Sequence, residues 1–309
     1  MEKPVMRKIL VLEAATIATA LLFGFLFRNF INAPALFPLI LTAVGAIVFL
    51  AAFLLQTILV PNAKFATAAT AISVFSMSLF LIGRGSPVFI VGAVIALALL
   101  ISAYHSGQSD VKNNLTVRFW KIARLVSAAG TMAIAVFASL AYFSLFNPSD
   151  VNASKNALNV IINPLEPVIA GYLPGFTGKS TLLQIASRSL PAEFQLAPVD
   201  VKNQAINQVA SNLAQAFSRV AGITVRNSDS FLDILYRASF GRLANLSPIL
   251  QTLVMAAVAL VFFFFIKFIL FVVNWPAILL GFLVYRLLLA SGFFKIELQD
   301  IRKESIILS

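Results

Sequence analysis

The sequence predicts an all-α, polytopic membrane protein of about seven transmembrane helices, with a small extracytoplasmic helical domain inserted between spans five and six. Three observations predict it. Of 309 residues, 60% are apolar and only 11% are charged, where an ordinary soluble domain carries about 25%. The mean hydropathy is +0.93. The apolar residues are gathered in long windows, and residues 147–247 interrupt them with Asn, Gln, Ser and charge.

A hydrocarbon layer roughly 30 Å thick takes about 20 mostly apolar residues as helix, because unpaired backbone groups are too costly there. Windows 9–27, 35–60, 65–83, 87–104, 125–146, 249–273 and 276–294 meet that requirement. The breaks between them carry turn chemistry: Arg28 to Asn32 with Pro34, Pro61 to Lys64, Gly83 to Pro87, and Asn274-Trp275-Pro276. Thr67, Thr70, Ser73, Ser76 and Ser78 dilute the third window. Lys3, Arg7 and Lys8 precede the first window, which is longer than the apolar stretch of a signal peptide and is expected to stay as a helix.

Charge gives the orientation. Lys and Arg are retained in short cytoplasmic loops, so Lys3, Arg7 and Lys8 place the amino terminus in the cytoplasm of a cell-membrane protein. Lys64, Lys112, Arg118, Lys121 and Arg124 then fall on the same side, and the opposite short loops hold only Arg28 and Arg84. The net charge of +11 is thus read as a topology signal, because residues 147–247 hold eight basic and six acidic groups and no basic cluster interleaves with exposed aromatics. Nucleic acid is not an expected partner. Seven crossings put residues 147–247 and the carboxy terminus outside. The expected divisions are 1–146 with five spans, 147–247 as the outer domain, 248–294 as a helix pair and 295–309 as a tail.

In the outer segment the apolar residues become periodic. Ile206, Val209, Leu213, Phe217 and Val220 recur at helical steps. Asp200 suits the first turn of that helix, and Gly222 its C-cap. Ser230 suits the cap of a further helix with Phe231, Ile234, Leu235 and Ala238 on one face, and a shorter helix is expected to start at Thr177. About 100 residues suffice for one small core.

Gly175 to Thr181 ends like a phosphate-binding loop, but Leu173 stands where that loop needs its first glycine. A cap at Thr177 accounts for the same residues. Glu13, Lys267 and Arg286 are the ionisable residues inside the windows, and such residues are functional candidates by default. Glu13 and Lys267 are expected near the cytoplasmic ends of their helices, where they can reach the surface or pair with each other. Arg286 is expected near mid-membrane. The hydroxyls of the third window suit close packing, or a polar path.

Chemistry is sparse. There is no cysteine, His105 is the one imidazole, and Asp229 and Asp233 lack further ligands and have Arg226 and Arg237 nearby. No cofactor, metal or enzymatic activity is expected. The functional expectation is a structural or interaction role in the cell envelope through the outer domain, with the bilayer, a protein partner at that domain and a second copy of the chain as partners. The alternative is a transporter or channel using Arg286 and the polar third span.

Overall fold

The computed structural model describes residues 3–81, 87–113, 118–144, 151–191, 194, 197–239, 241 and 247–294. The described residues are helical, with no strand among them. In order they form α1 (Lys3–Asn32), α2 (Leu36–Leu59), α3 (Ala63–Leu79), α4 (Pro87–Asn113), α5 (Phe119–Phe143), α6 (Val151–Ile162), a 3-10 turn (Asn163–Leu165), α7 (Glu166–Ala170), α8 (Leu182–Ser189), α9 (Val199–Ala221), α10 (Phe231–Ser239) and α11 (Pro248–Ala290). The expected tail, 295–309, lies outside the described residues.

Five helices are long and apolar enough to cross a membrane: α1, α2, α4, α5, and α11 from Ala259 onward. α3 has 17 residues and is shorter, about 25 Å at 1.5 Å per residue. The helix ends follow from local chemistry. Asn62 caps α3 by accepting the Lys64 N–H at 3.1 Å, and Ser247 caps α11 by accepting from Leu250. Pro87 opens α4, where its missing N–H costs no helical hydrogen bond.

The sixth and seventh windows differ from the expectation. Asn274, Trp275 and Pro276 form no turn; one helix of 43 residues runs through them, roughly 65 Å long. Its packing explains why. Val273, Ala277 and Ile278, on either side of the proline, are buried, and α11 lies against both α5 and α2. Gly281 sits so close to α2 that a Cβ there would meet Leu54 Cδ2 at 3.0 Å. A proline inside a membrane helix is tolerated where neighbouring helices hold the segment straight enough to stay packed. Residues 248–290 therefore form one continuous helix. A single helix also brings the chain back to its starting end: Lys8 Nζ donates to the Phe293 carbonyl at 2.7 Å. That contact sets residue 293 at the same end of the bundle as residue 8.

Two apolar cores result. The larger joins α1 to α5 with α11. The smaller, around Phe176, Leu182, Ile185, Ala210, Ala214 and Ile234, belongs to α6 through α10. α6 connects them, since Val160 faces the larger core while Leu158 and Ile162 face the smaller. The first turns of α11 do the same through Val254, which packs on the smaller core. Along the outside of the larger bundle, Phe37, Ile90, Phe268 and Leu287 are exposed. Apolar surface of that extent is what lipid tails would cover.

Candidate functional site

Cross-helix contacts fix the depth of each charged residue. Thr16 Oγ1 reaches the Ala52 carbonyl at 3.5 Å and Thr42 Oγ1 the Leu26 carbonyl at 3.1 Å, so α1 and α2 are antiparallel with residue 16 opposite 52 and 26 opposite 42. One turn back from Thr16 and one turn on from Ala52 bring Glu13 level with Gln56. Gly24 packs against the Met77 backbone, so α3 runs beside α1 in the same direction, and Glu13 is level with Ala66. Gln56 Nε2 donates to that Ala66 carbonyl at 3.0 Å. From α4, Tyr104 donates to the Val60 carbonyl at 2.9 Å. Gln108 Nε2 donates to the Thr57 carbonyl at 2.6 Å.

Glu13 therefore lies inside a polar knot of four helices. It is 6% exposed, and neither carboxylate oxygen has a hydrogen-bond partner; Gln56 Oε1 and Ser73 Oγ are also buried without one. Burying such groups unpaired costs free energy. The sequence singles out Glu13, but Gln56, Tyr104 and Gln108 escape it. An amide within an apolar run is the signal that finds the two glutamines, and only the helix register places Gln56 level with Glu13.

Lys267 is elsewhere. Tyr142 stacks on Phe262 with ring centroids 3.8 Å apart, and Arg124 sits 5.9 Å from the Trp275 ring, so α5 and α11 are antiparallel. Lys267 falls between these contacts, halfway along α5, where its Nζ donates to Thr131 Oγ1 at 3.1 Å. It is neither at a helix end nor paired with Glu13, contrary to expectation, because α11 begins its crossing later than the sixth window implied. Arg286 changes in the opposite sense. It is exposed, 6.0 Å over the Phe282 ring and one turn before α11 ends at Ala290. Once residues 274–276 are helix, the middle of the last window becomes the end of a helix.

That end of the bundle is basic. Arg118, Lys121 and Arg124 line an open groove of about 610 Å³ with Trp120 and Leu125. Trp120 packs on Phe282 at 5.2 Å, so Arg286 joins the same surface. Lys8 and Lys64 are exposed nearby along the rim. Lysine and arginine so placed are attracted to anionic headgroups.

The α3 hydroxyls mostly bond to their own helix: Thr67 to Ala63, Thr70 to Ala66 and Ser78 to Val74. The close approach of α1 to α3 is made by Gly24 against the Met77 backbone.

In the smaller unit, the phosphate-loop resemblance dissolves into structure. The cap of α8 is Thr181, which forms a reciprocal capping box with Gln184; Thr177, the expected cap, instead pairs its hydroxyl with Ser180 at 2.7 Å. Gly178 N–H donates to Glu166 Oε1 at 2.6 Å. A carboxylate thus occupies the backbone donor that a phosphate would need. Leu182 N and Leu232 N tie the loop to its neighbour by donating to the Asp229 and Gly178 carbonyls. Asp229 pairs with Arg237. Asp233 pairs with Lys155 at 2.5 Å and accepts from Ser230 Oγ at 2.7 Å. Burial pushes the Asp233 carboxyl up, but the Lys155 and Ser230 bonds outweigh it and hold it below its ordinary value. Among the described residues no group of three or more His, Cys, Asp or Glu is placed to hold a metal ion.

Helix α9 is capped as expected, with Asp200 in its first turn and Gly222 at φ 63°. Ile206, Val209, Leu213 and Phe217 pack on the small core. Val220 departs from that face and is 89% exposed. Tyr172, just past α7, is 86% exposed. Compared with known proteins, the chain matches no family model, no curated protein and no solved structure.

Proposed function

We propose that the chain is a multi-pass protein of the cell membrane that works as an interaction or structural component of the cell envelope, with residues 147–247 as its contact domain outside the cytoplasm. With α3 counted as a crossing, the bundle makes six, and both termini lie in the cytoplasm. The positive-inside rule supports this orientation, because Lys8, Lys64, Arg118, Lys121, Arg124 and Arg286 then share the cytoplasmic end and Arg28 lies opposite.

The observation that carries the reading is a unit with its own apolar core that still leaves large apolar side chains, Val220 and Tyr172, in the open. Exposed apolar groups of this size suit a protein partner. A photo-crosslinking residue at position 220 or 172, expressed in native membranes, is expected to capture a defined protein, or a second copy of the chain, while one at Lys179 captures nothing. Equal, non-selective capture at all three positions would sink the reading.

Transport is the second reading. Arg286 and the α3 hydroxyls no longer favour it, but the unpartnered carboxyl of Glu13 deep in the bundle does.

A further inference from the structure

We propose that Glu13 is a proton-binding site inside the membrane bundle, loaded from the end where the amino terminus lies. The orphaned atoms at that level are Glu13 Oε1, Glu13 Oε2 and Gln56 Oε1, and all three are acceptors. Gln56 has spent its two N–H donors on the Ala66 carbonyl and Thr70 Oγ1, and Tyr104 has spent its own on Val60. A set of buried acceptors with no donor among them lacks a proton. Placing one on Glu13 turns the carboxylate into a neutral acid with an O–H to give and leaves Gln56 Oε1 as an acceptor at the same level. It also removes an uncompensated charge from a buried position, where such a charge costs most.

Among the described residues no basic group bonds to the carboxylate. α2 carries no titratable side chain, and α3 carries only Lys64, exposed at its first turn. α4 presents Tyr104, while His105 beside it is exposed. On α1, Lys8 is turned to Phe293, and Lys267 is held by Thr131. A cavity of about 430 Å³ opens on the amino-terminal side of Glu13, lined by Lys8, Ile9, Leu12, Leu59 and Asn62. Ile9 and Leu12 are the residues one turn before Glu13 and immediately before it.

Dicyclohexylcarbodiimide, which modifies protonated carboxyls in apolar surroundings, tests this on the full chain in lipid vesicles, read by mass spectrometry of the peptide that contains position 13. Modification of Glu13 is expected, falling about tenfold per pH unit above its midpoint and indifferent to sodium at fixed pH. The Glu13→Gln variant, which mimics the neutral acid, is expected to lose the label and keep the wild-type thermal unfolding. Protection by sodium at constant pH would replace the proton by a metal cation and overturn the proposal. So would labelling that ignores pH, no labelling at any pH, or a Glu13→Gln chain that fails to fold.

Discussion

Lys8 and Phe293 are 285 positions apart in the chain, yet the ammonium of one donates to the carbonyl of the other at 2.7 Å and sits 5.3 Å from its ring. This contact closes the bundle at its basic end and follows from α11 running unbroken from Pro248 to Ala290.

The chain has no cysteine, so single engineered ones report sidedness cleanly. Cysteines at Lys64 and at Ser291 are expected to react with an impermeant maleimide from the same side of sealed vesicles, and a cysteine at Tyr172 from the other. Reaction of position 291 together with position 172 would require a second crossing within residues 248–294.

Thr131 is the hydrogen-bond partner of an ammonium halfway along α5. Thr131→Val is expected to destabilise the protein by about 1–3 kcal/mol, the cost of leaving a buried polar group unsatisfied. Thr131→Ser keeps the hydroxyl and is expected to keep most of the stability. Thermal unfolding in detergent distinguishes them.

At Gly24, an added Cβ would stand 2.5 Å from the Met77 carbonyl oxygen, whereas at Gly130 it would meet only the Leu50 Cδ2 methyl, at 2.8 Å. Backbone cannot swing aside and the end of a leucine can. Gly24→Ala is expected to cost about 1–3 kcal/mol by overpacking, and Gly130→Ala distinctly less, measured in the same melts.

The Asp233 carboxyl is held below its ordinary value of 3.8 by Lys155 and Ser230. Its contribution is therefore fully present above that value and is lost as pH falls through the lower folded-state value. The Lys155–Asp233 pair is partly exposed, so Asp233→Asn is expected to cost only about 0.2–1 kcal/mol at neutral pH. Below the carboxyl's own range the wild-type and variant melts should converge; a gap that widened with acidification would contradict the pairing.

Thr181 and Gln184 satisfy two backbone donors at the start of α8. Thr181→Ala is expected to destabilise the smaller unit by about 1 kcal/mol, seen as faster exchange of the Leu182 to Ile185 amides.

Local chemistry was legible without the fold. The apolar windows that became α1, α2, α4 and α5, the αL cap at Gly222 and the hydroxyl cap at Ser230 each depend on residues within a few positions of one another, and short-range sterics and burial act the same way in any context. Depth and partnership were not. Asn274-Trp275-Pro276 has the residues of a turn, and only packing against α2 and α5 on both sides of Pro276 keeps it helical. That one outcome moves Lys267 to the middle of the bundle, Arg286 to its end, and the carboxy-terminal side of α11 next to Lys8. That Glu13 lies level with Gln56 likewise depends on the register between helices, which is set by contacts such as Thr16 with Ala52 and Gly24 with Met77. Such contacts join residues tens of positions apart, and nothing in the order of residues along a chain says how far one helix slides past another.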